Sequence, residues 1–161
     1  MSLTVRFYDH IDDARLAFAV IVARYGERWV FCRHRQRRTY ELAGGHREPG
    51  ESIVEAATRE LYEETGALDF RLHRISVYSV TGKTRVNVGG AESFGMLYYA
   101  AVSRLGALPP SEIGEVVCFE ELPKAWTYPE IQPLLMAKVQ ADLAADYRRR
   151  SGQLPPIRGL K

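Results

Sequence analysis

Gly45 to Ala67 reads GHREPGESIVEAATRELYEETGA, and this stretch decides the architecture. Its opening, with Gly44 just ahead of it, reads as a loop built on Gly44, Gly45, Pro49 and Gly50, and a helix follows. Ser52 is a good N-cap, and Glu55 three residues later completes a capping box, so the helix starts at Ile53. Gly66 can take the left-handed conformation that ends it. At about 100° per residue, Ile53, Val54, Ala57 and Leu61 form an apolar arc suited to packing on a sheet. Glu60, Glu63 and Glu64 share a sector at the edge of that arc, because residues three and four apart are neighbours on a helix.

Three carboxylates in one sector repel each other, and within the helix only Arg59 offsets them. One reading is a solvated acidic face. The other starts from the buried arc beside them, where uncompensated charge is costly and a cation resolves the problem. Hard divalent ions such as Mg2+ prefer carboxylate oxygens and are completed by substrate phosphate and water. The physics alone thus points to a metal-phosphate site.

The stretch resembles the Nudix box, a pattern of G, five residues, E, seven residues, then R-E-U-x-E-E-x-G-U with U apolar and bulky. Gly45, Glu51, Arg59, Glu60, Leu61, Glu63, Glu64 and Gly66 all match at the required spacing, and Ala67 is smaller than the usual last residue. The resemblance implies an α/β fold, a Nudix-type α/β/α sandwich with a mixed sheet. It also implies hydrolysis of a nucleoside diphosphate linked to another group, with Mg2+ or Mn2+ as cofactor. Position by position, it makes Glu60, Glu63, Glu64 and the Gly45 carbonyl metal ligands, and puts Glu51 at the site edge as ligand or orienting group. Arg59 holds a carboxylate through its bidentate fork. Glu60 is the first choice as general base, with Glu63 next. Family members often recruit a further carboxylate, for which Glu115 is the candidate ahead of Glu112 and Glu92.

Outward from the box, Leu3–Tyr8, Ala17–Ala23, Trp29–Cys32, Thr39–Leu42, Leu68–Val80 (one or two strands), Phe94–Val102 and Glu115–Phe119 read as strands. Gly26 marks a hairpin, and Phe94–Val102, apolar on both faces, reads as central. The run Arg33-His34-Arg35-Gln36-Arg37-Arg38 is either a solvated hairpin tip or a place where Arg33, Arg35 and Arg37 meet substrate phosphates. A last helix begins at Pro133 and runs to about Arg148, burying Leu135, Val139, Leu143 and Tyr147. It packs on the sheet face opposite the box helix. Trp126 and Tyr128 either stack on a nucleotide base or cap the core. His46 is a lone loop histidine.

A chain of 161 residues with 46% hydrophobic content makes one domain, residues 1–150, with an extended tail over 151–161. A net charge of +2 does not by itself argue for nucleic acid or membrane. Cys32 and Cys118 lack metal-ligand spacing and read as buried free thiols in a reducing cytoplasm. Neither a signal peptide nor a membrane-spanning run is evident, so a soluble cytoplasmic protein, monomer or homodimer, is expected.

The substrate is less legible. No proline lies between Pro49 and Pro109, which argues against the ADP-ribose subgroup. What remains resembles the compact MutT-like group, which converts nucleoside triphosphates, including oxidised ones such as 8-oxo-dGTP, to monophosphate and pyrophosphate. Ala43 stands where that group commonly has proline. Two alternatives are removal of pyrophosphate from an RNA 5′ end, the one nucleic-acid partner considered, and a non-catalytic nucleotide sensor.

Overall fold

The computed structural model describes residues 3–85 and 87–151. The capping box sets the start of helix α1 (Ile53–Thr65): Ser52 Oγ accepts from the Glu55 N–H at 3.1 Å, and Glu55 Oε1 accepts from the Ser52 N–H at 2.8 Å. Gly66 ends it at φ 76°, donating to the Tyr62 carbonyl. Ile53, Ala56, Ala57, Leu61 and Thr65 are buried. Val54 is not part of that face; it sits in the first turn and is 51% exposed. With Ala56 in its place, the buried arc is centred further round the helix. Glu60 and Glu64, spaced seven and eleven residues from Ile53, fall within the arc rather than at its edge.

The helix packs on a seven-stranded mixed sheet. Its strands are β1 (Thr4–Tyr8), β2 (Leu16–Tyr25), β3 (Arg28–His34), β4 (Ala43–His46), β5 (Ala67–Thr81), β6 (Ser93–Leu105) and β7 (Ile113–Phe119). The order is β1-β5-β6-β2-β3-β7, with β4 also pairing β2. Only β2 and β6 run parallel; the other pairs are antiparallel. Strand β6 is internal and buried along most of its length, as its two-faced apolarity predicts. Leu68–Val80 is one strand, β5, springing directly from the helix cap.

On the edge away from β6, β2 forks: Phe18–Ile21 pair with β4, and Ala23–Tyr25 pair with β3. Here the sequence reading needs two corrections. Gly44 and Gly45 are strand residues, and Thr39–Leu42 forms only isolated bridges, Tyr40 to Trp126 and Glu41 to Cys32. Strand pairing requires glycine at position 44, where a Cβ would stand 2.5 Å from the Ala19 carbonyl oxygen.

Side chains alternate across the sheet and build two cores. One gathers Ala19, Ile21, Ala23, Val30, Met96 and Ala100 beneath Ile53, Ala57 and Leu61 of α1. The other gathers Val22, Trp29, Phe31, Tyr78 and Leu97 beneath helix α2 (Gln132–Ser151), through Leu135, Met136 and Val139. The two helices therefore cover opposite faces, an α/β/α sandwich. Pro133 lies in the first turn of α2 as expected. Leu143 packs partly and Tyr147 is 41% exposed, so the buried stripe ends before the last turns. Cys32 is buried but Cys118 only half-buried; both are free thiols. Of the expected tail over 151–161, Ser151 still belongs to α2, and residues 152–161 lie outside the described residues. No helix among the described residues is long and apolar enough to cross a membrane.

Candidate active site

The fork in β2 leaves a gap through which α1 meets β4. Glu64 Oε1 accepts the Gly44 N–H at 2.8 Å. Glu60 lies against Gly45 so closely that a Cβ there would stand 2.3 Å from Glu60 Oε2. Glycine at position 45 is therefore what lets a carboxylate lie on the β4 backbone.

Arg59 organises the opposite side of the group. Its Nε and Nη2 donate to the two oxygens of Glu51 at 2.6 and 3.0 Å, a bidentate pair. Nη1 donates to Glu60 at 2.5 Å and stands 3.6 Å from Glu63, while Nη2 also donates to the His46 carbonyl. This guanidinium holds the Glu51 carboxyl well below its usual range, at about 2. Burial pushes Glu60 up, opposed by Arg59. Glu64 is pushed up to about 8, first by burial and then by Glu60, Glu41 and Glu63; the Gly44 N–H opposes the shift only in part. One arginine thus serves four carboxylates, counting Glu48 at 3.7 Å.

Excess negative charge around a buried carboxylate is what a cation relieves, and the donor set is hard oxygen throughout, suited to Mg2+ or Mn2+. The glycine cradle at position 45 puts a carboxylate and the backbone side by side. These residues fit a divalent metal. Among the described residues, no three acidic, His or Cys side chains converge as a closed ligand set; Arg59 donates to Glu60, and the Gly44 N–H to Glu64.

Beside this group opens a cavity of about 310 Å³ on the α2 side of β2. Phe18, Val20, Leu42, Tyr78, Val80 and Tyr128 are among its apolar lining, and Glu41, Gly44, Gly45, Glu64 and Gln132 among its polar lining. Tyr128 therefore faces the cavity. Trp126 does not line it; it packs edge-on against Phe31 with ring centroids 5.4 Å apart, capping the core.

The structure separates the outlying candidates. Glu115 pairs with Arg33 at 3.1 Å and does not line the cavity that Glu64 reaches. Arg35 donates to the Ser111 carbonyl at 2.5 Å. Arg37 donates to Glu41 and Arg33 to the His34 carbonyl, each at 3.2 Å, and both partners line the cavity. Glu112 stands 3.8 Å from His34, and Glu92 accepts from Tyr8 and Ser79.

Glu41 and Gln132 were not singled out in the sequence. Glu41 is only 7% exposed, and its signal was legible: a lone charge in TYELA, an otherwise apolar approach to the glycines. Gln132, next to the helix-starting Pro133, carried no comparable signal.

Comparison with known proteins follows the same lines. The family model described as NUDIX domain matches residues 13–139. A Bacillus subtilis (strain 168) relative, YtkD, whose provisional name is 8-oxo-dGTP diphosphatase, is 36% identical over 105 residues. That match covers 65% of this chain and 62% of the relative, so less than two thirds of the relative's length is spanned. The crystal structure of a mutant of the B. subtilis pyrophosphohydrolase BsRppH superposes with TM-score 0.70 at 26% identity, covering 86% of this chain and 90% of that one. A C. elegans Ap4A hydrolase shares the fold at TM-score 0.61 and 20% identity, over 80% of this chain and 98% of its own.

Proposed function

The chain belongs to the NUDIX domain family, and on that premise we propose that it is a metal-dependent pyrophosphohydrolase of nucleoside triphosphates, normal or oxidised. Products are the nucleoside monophosphate and pyrophosphate. The observation that carries this reading is the position of Glu64. Its buried carboxylate joins the acidic group of α1 to a cavity walled by Phe18, Tyr78 and Tyr128, so phosphates and an aromatic base have adjoining places.

Glu60, Glu63, Glu64 and the Gly45 carbonyl would hold Mg2+ or Mn2+. When bound, the metal neutralises phosphate oxygens and makes a bound water more acidic. Arg59 anchors Glu51 and restrains Glu60, fixing the carboxylates before substrate arrives. Glu60 is raised by burial toward the range in which a carboxylate accepts a proton effectively, and it takes the proton from the attacking water, with Glu63 next in line. The apolar walls shed water from around the base and stack on it.

A second reading, removal of pyrophosphate from an RNA 5′ end, is favoured by one feature. A cleft of about 450 Å³ lined by His34, Arg35, Gln36, Arg37 and Glu112 shares His34 with the main cavity and is suited to a phosphodiester chain. Incubation with Mg2+ and a panel of normal and 8-oxo triphosphates, dinucleoside polyphosphates and triphosphorylated RNA tests both. Pyrophosphate release from a free triphosphate supports the first. Release only from RNA, with binding that weakens steeply with salt, supports the second. Silence across the panel with metal bound leaves the sensor reading.

A further inference from the structure

We infer that Glu41 and Gln132 read the hydrogen-bonding edge of a purine held in the main cavity, and that the purine is of the guanine type. The inference rests on the nucleotide reading above and adds the base to it.

Glu41 lies outside the box pattern, yet it is among the few charged side chains buried in the described residues. Arg37 Nη1 stands 3.2 Å from its Oε2, and His34 Nε2 3.4 Å from its Oε1. These partners fix the carboxylate without exhausting it, because two oxygens offer about four acceptor sites and no donor. Gln132, 6% exposed, supplies the complement. Its Oε1 accepts the Leu42 N–H at 2.8 Å. A backbone N–H can only donate, so this bond assigns the amide orientation and leaves the –NH2 end with no hydrogen-bond partner among the described residues. Both residues line the cavity, and Gln132 is tied to Leu42, the residue that follows Glu41. A donor on a cavity-lining residue with no protein partner is free to serve a ligand acceptor.

Only certain bases match an acceptor pair beside a donor. Guanine presents N1–H and N2–H2 as adjacent donors and O6 as an acceptor next to them. The carboxylate takes the two donors and the Gln132 amide donates to O6. In the pose that guanine takes, adenine opposes its N1 lone pair to the carboxylate and presents an amino group, not a carbonyl, to the amide. Oxidation at C8 leaves the N1, N2 and O6 edge unchanged, so the same two residues take guanine and its 8-oxo form. The aromatic walls stack on either.

The test is equilibrium binding of GMP, IMP and AMP to the full chain by calorimetry, with Glu41→Gln and Gln132→Glu alongside and melting curves for all three proteins. Monophosphate binding needs no turnover, so it separates base reading from catalysis. Expected is a preference for GMP over AMP of roughly ten- to hundredfold, the discrimination typical of one bidentate pair. IMP, lacking the 2-amino donor, falls between them. In Glu41→Gln the GMP preference collapses toward unity. Gln132→Glu keeps an acceptor for the Leu42 N–H, so the fold is retained, but it loses the donor to O6 and weakens GMP. A GMP preference that survives Glu41→Gln in a folded protein overturns the inference, as does equal binding of GMP and AMP to the unaltered chain. Failure of any nucleotide to bind removes the nucleotide reading along with it.

Discussion

Glu64 receives one N–H, from Gly44, and faces Glu60, Glu41 and Glu63. Glu64→Gln keeps an acceptor for that N–H while removing the repelled charge. Turnover with Mg2+ should therefore fall by roughly 10²-fold or more, as when one group that stabilises charge at a reaction centre is lost. The melting temperature should hold or rise; a variant that unfolds, or one with full activity, would refute the assignment. The same residue sets a pH dependence in metal-free protein. Its folded value, about 8, lies above its ordinary 4.5, so the protonated form is favoured by folding. The stability this contributes is complete below about pH 4.5 and is lost as the pH rises through about 8. Glu51 acts with the opposite sign: lowered to about 2, it contributes above pH 4.5, and the contribution disappears as the pH falls toward 2. Melts in chelator from pH 5 to 9 should thus decline with pH, Mg2+ should restore most of the loss, and Glu64→Gln should flatten the profile.

Helix α1 shows how far patterning carries and where it stops. The capping box, the Gly66 stop and the buried Ile53, Ala57 and Leu61 were legible in the sequence because each depends on residues within one turn of its partner. Val54 reads as part of the apolar arc yet is exposed, because periodicity gives a direction around the helix and not whether a strand lies opposite. Gly44 and Gly45 read as loop because glycine signals a turn by default; their strand role depends on Ala19 and Glu60, remote in sequence. The role of Glu41 is not local either, its partners and its cavity being assembled by tertiary packing. The contrast is measurable at the element level. Leu61→Ala, at a position with no exposure, should cost about 2–5 kcal/mol in urea unfolding, whereas Val54→Ala should stay within about 0.5 kcal/mol. Equal losses would place both residues on the same face. Gly45→Ala should displace the Glu60 carboxylate and abolish activity while the far-ultraviolet spectrum stays native; undiminished turnover would show that the Glu60–Gly45 contact is dispensable.

Across the whole molecule, the two cores meet only through the sheet, and Cys32 sits among Glu64, Glu41 and Glu60 at that seam. Burial and these carboxylates push its thiol up, so it should resist alkylation in the native state while half-buried Cys118 reacts first; rapid labelling of Cys32 would mean that the seam opens readily. The fork in β2 has a consequence for the order of assembly. Strand β4 and helix α1 are neighbours in the chain, so the acidic group against Gly44 and Gly45 closes only a short loop. The cavity needs Tyr78 and Val80 from β5 and Leu135 from α2. The sheet beneath it needs the parallel register that sets Ile21 opposite Tyr98, and the β3–β7 register that sets Phe31 opposite Val117. Pairings of such separation close late, after most chain entropy has been surrendered. During refolding the place for the phosphates can therefore precede the place for the base, and a chain halted between the two would bind metal without choosing a nucleotide.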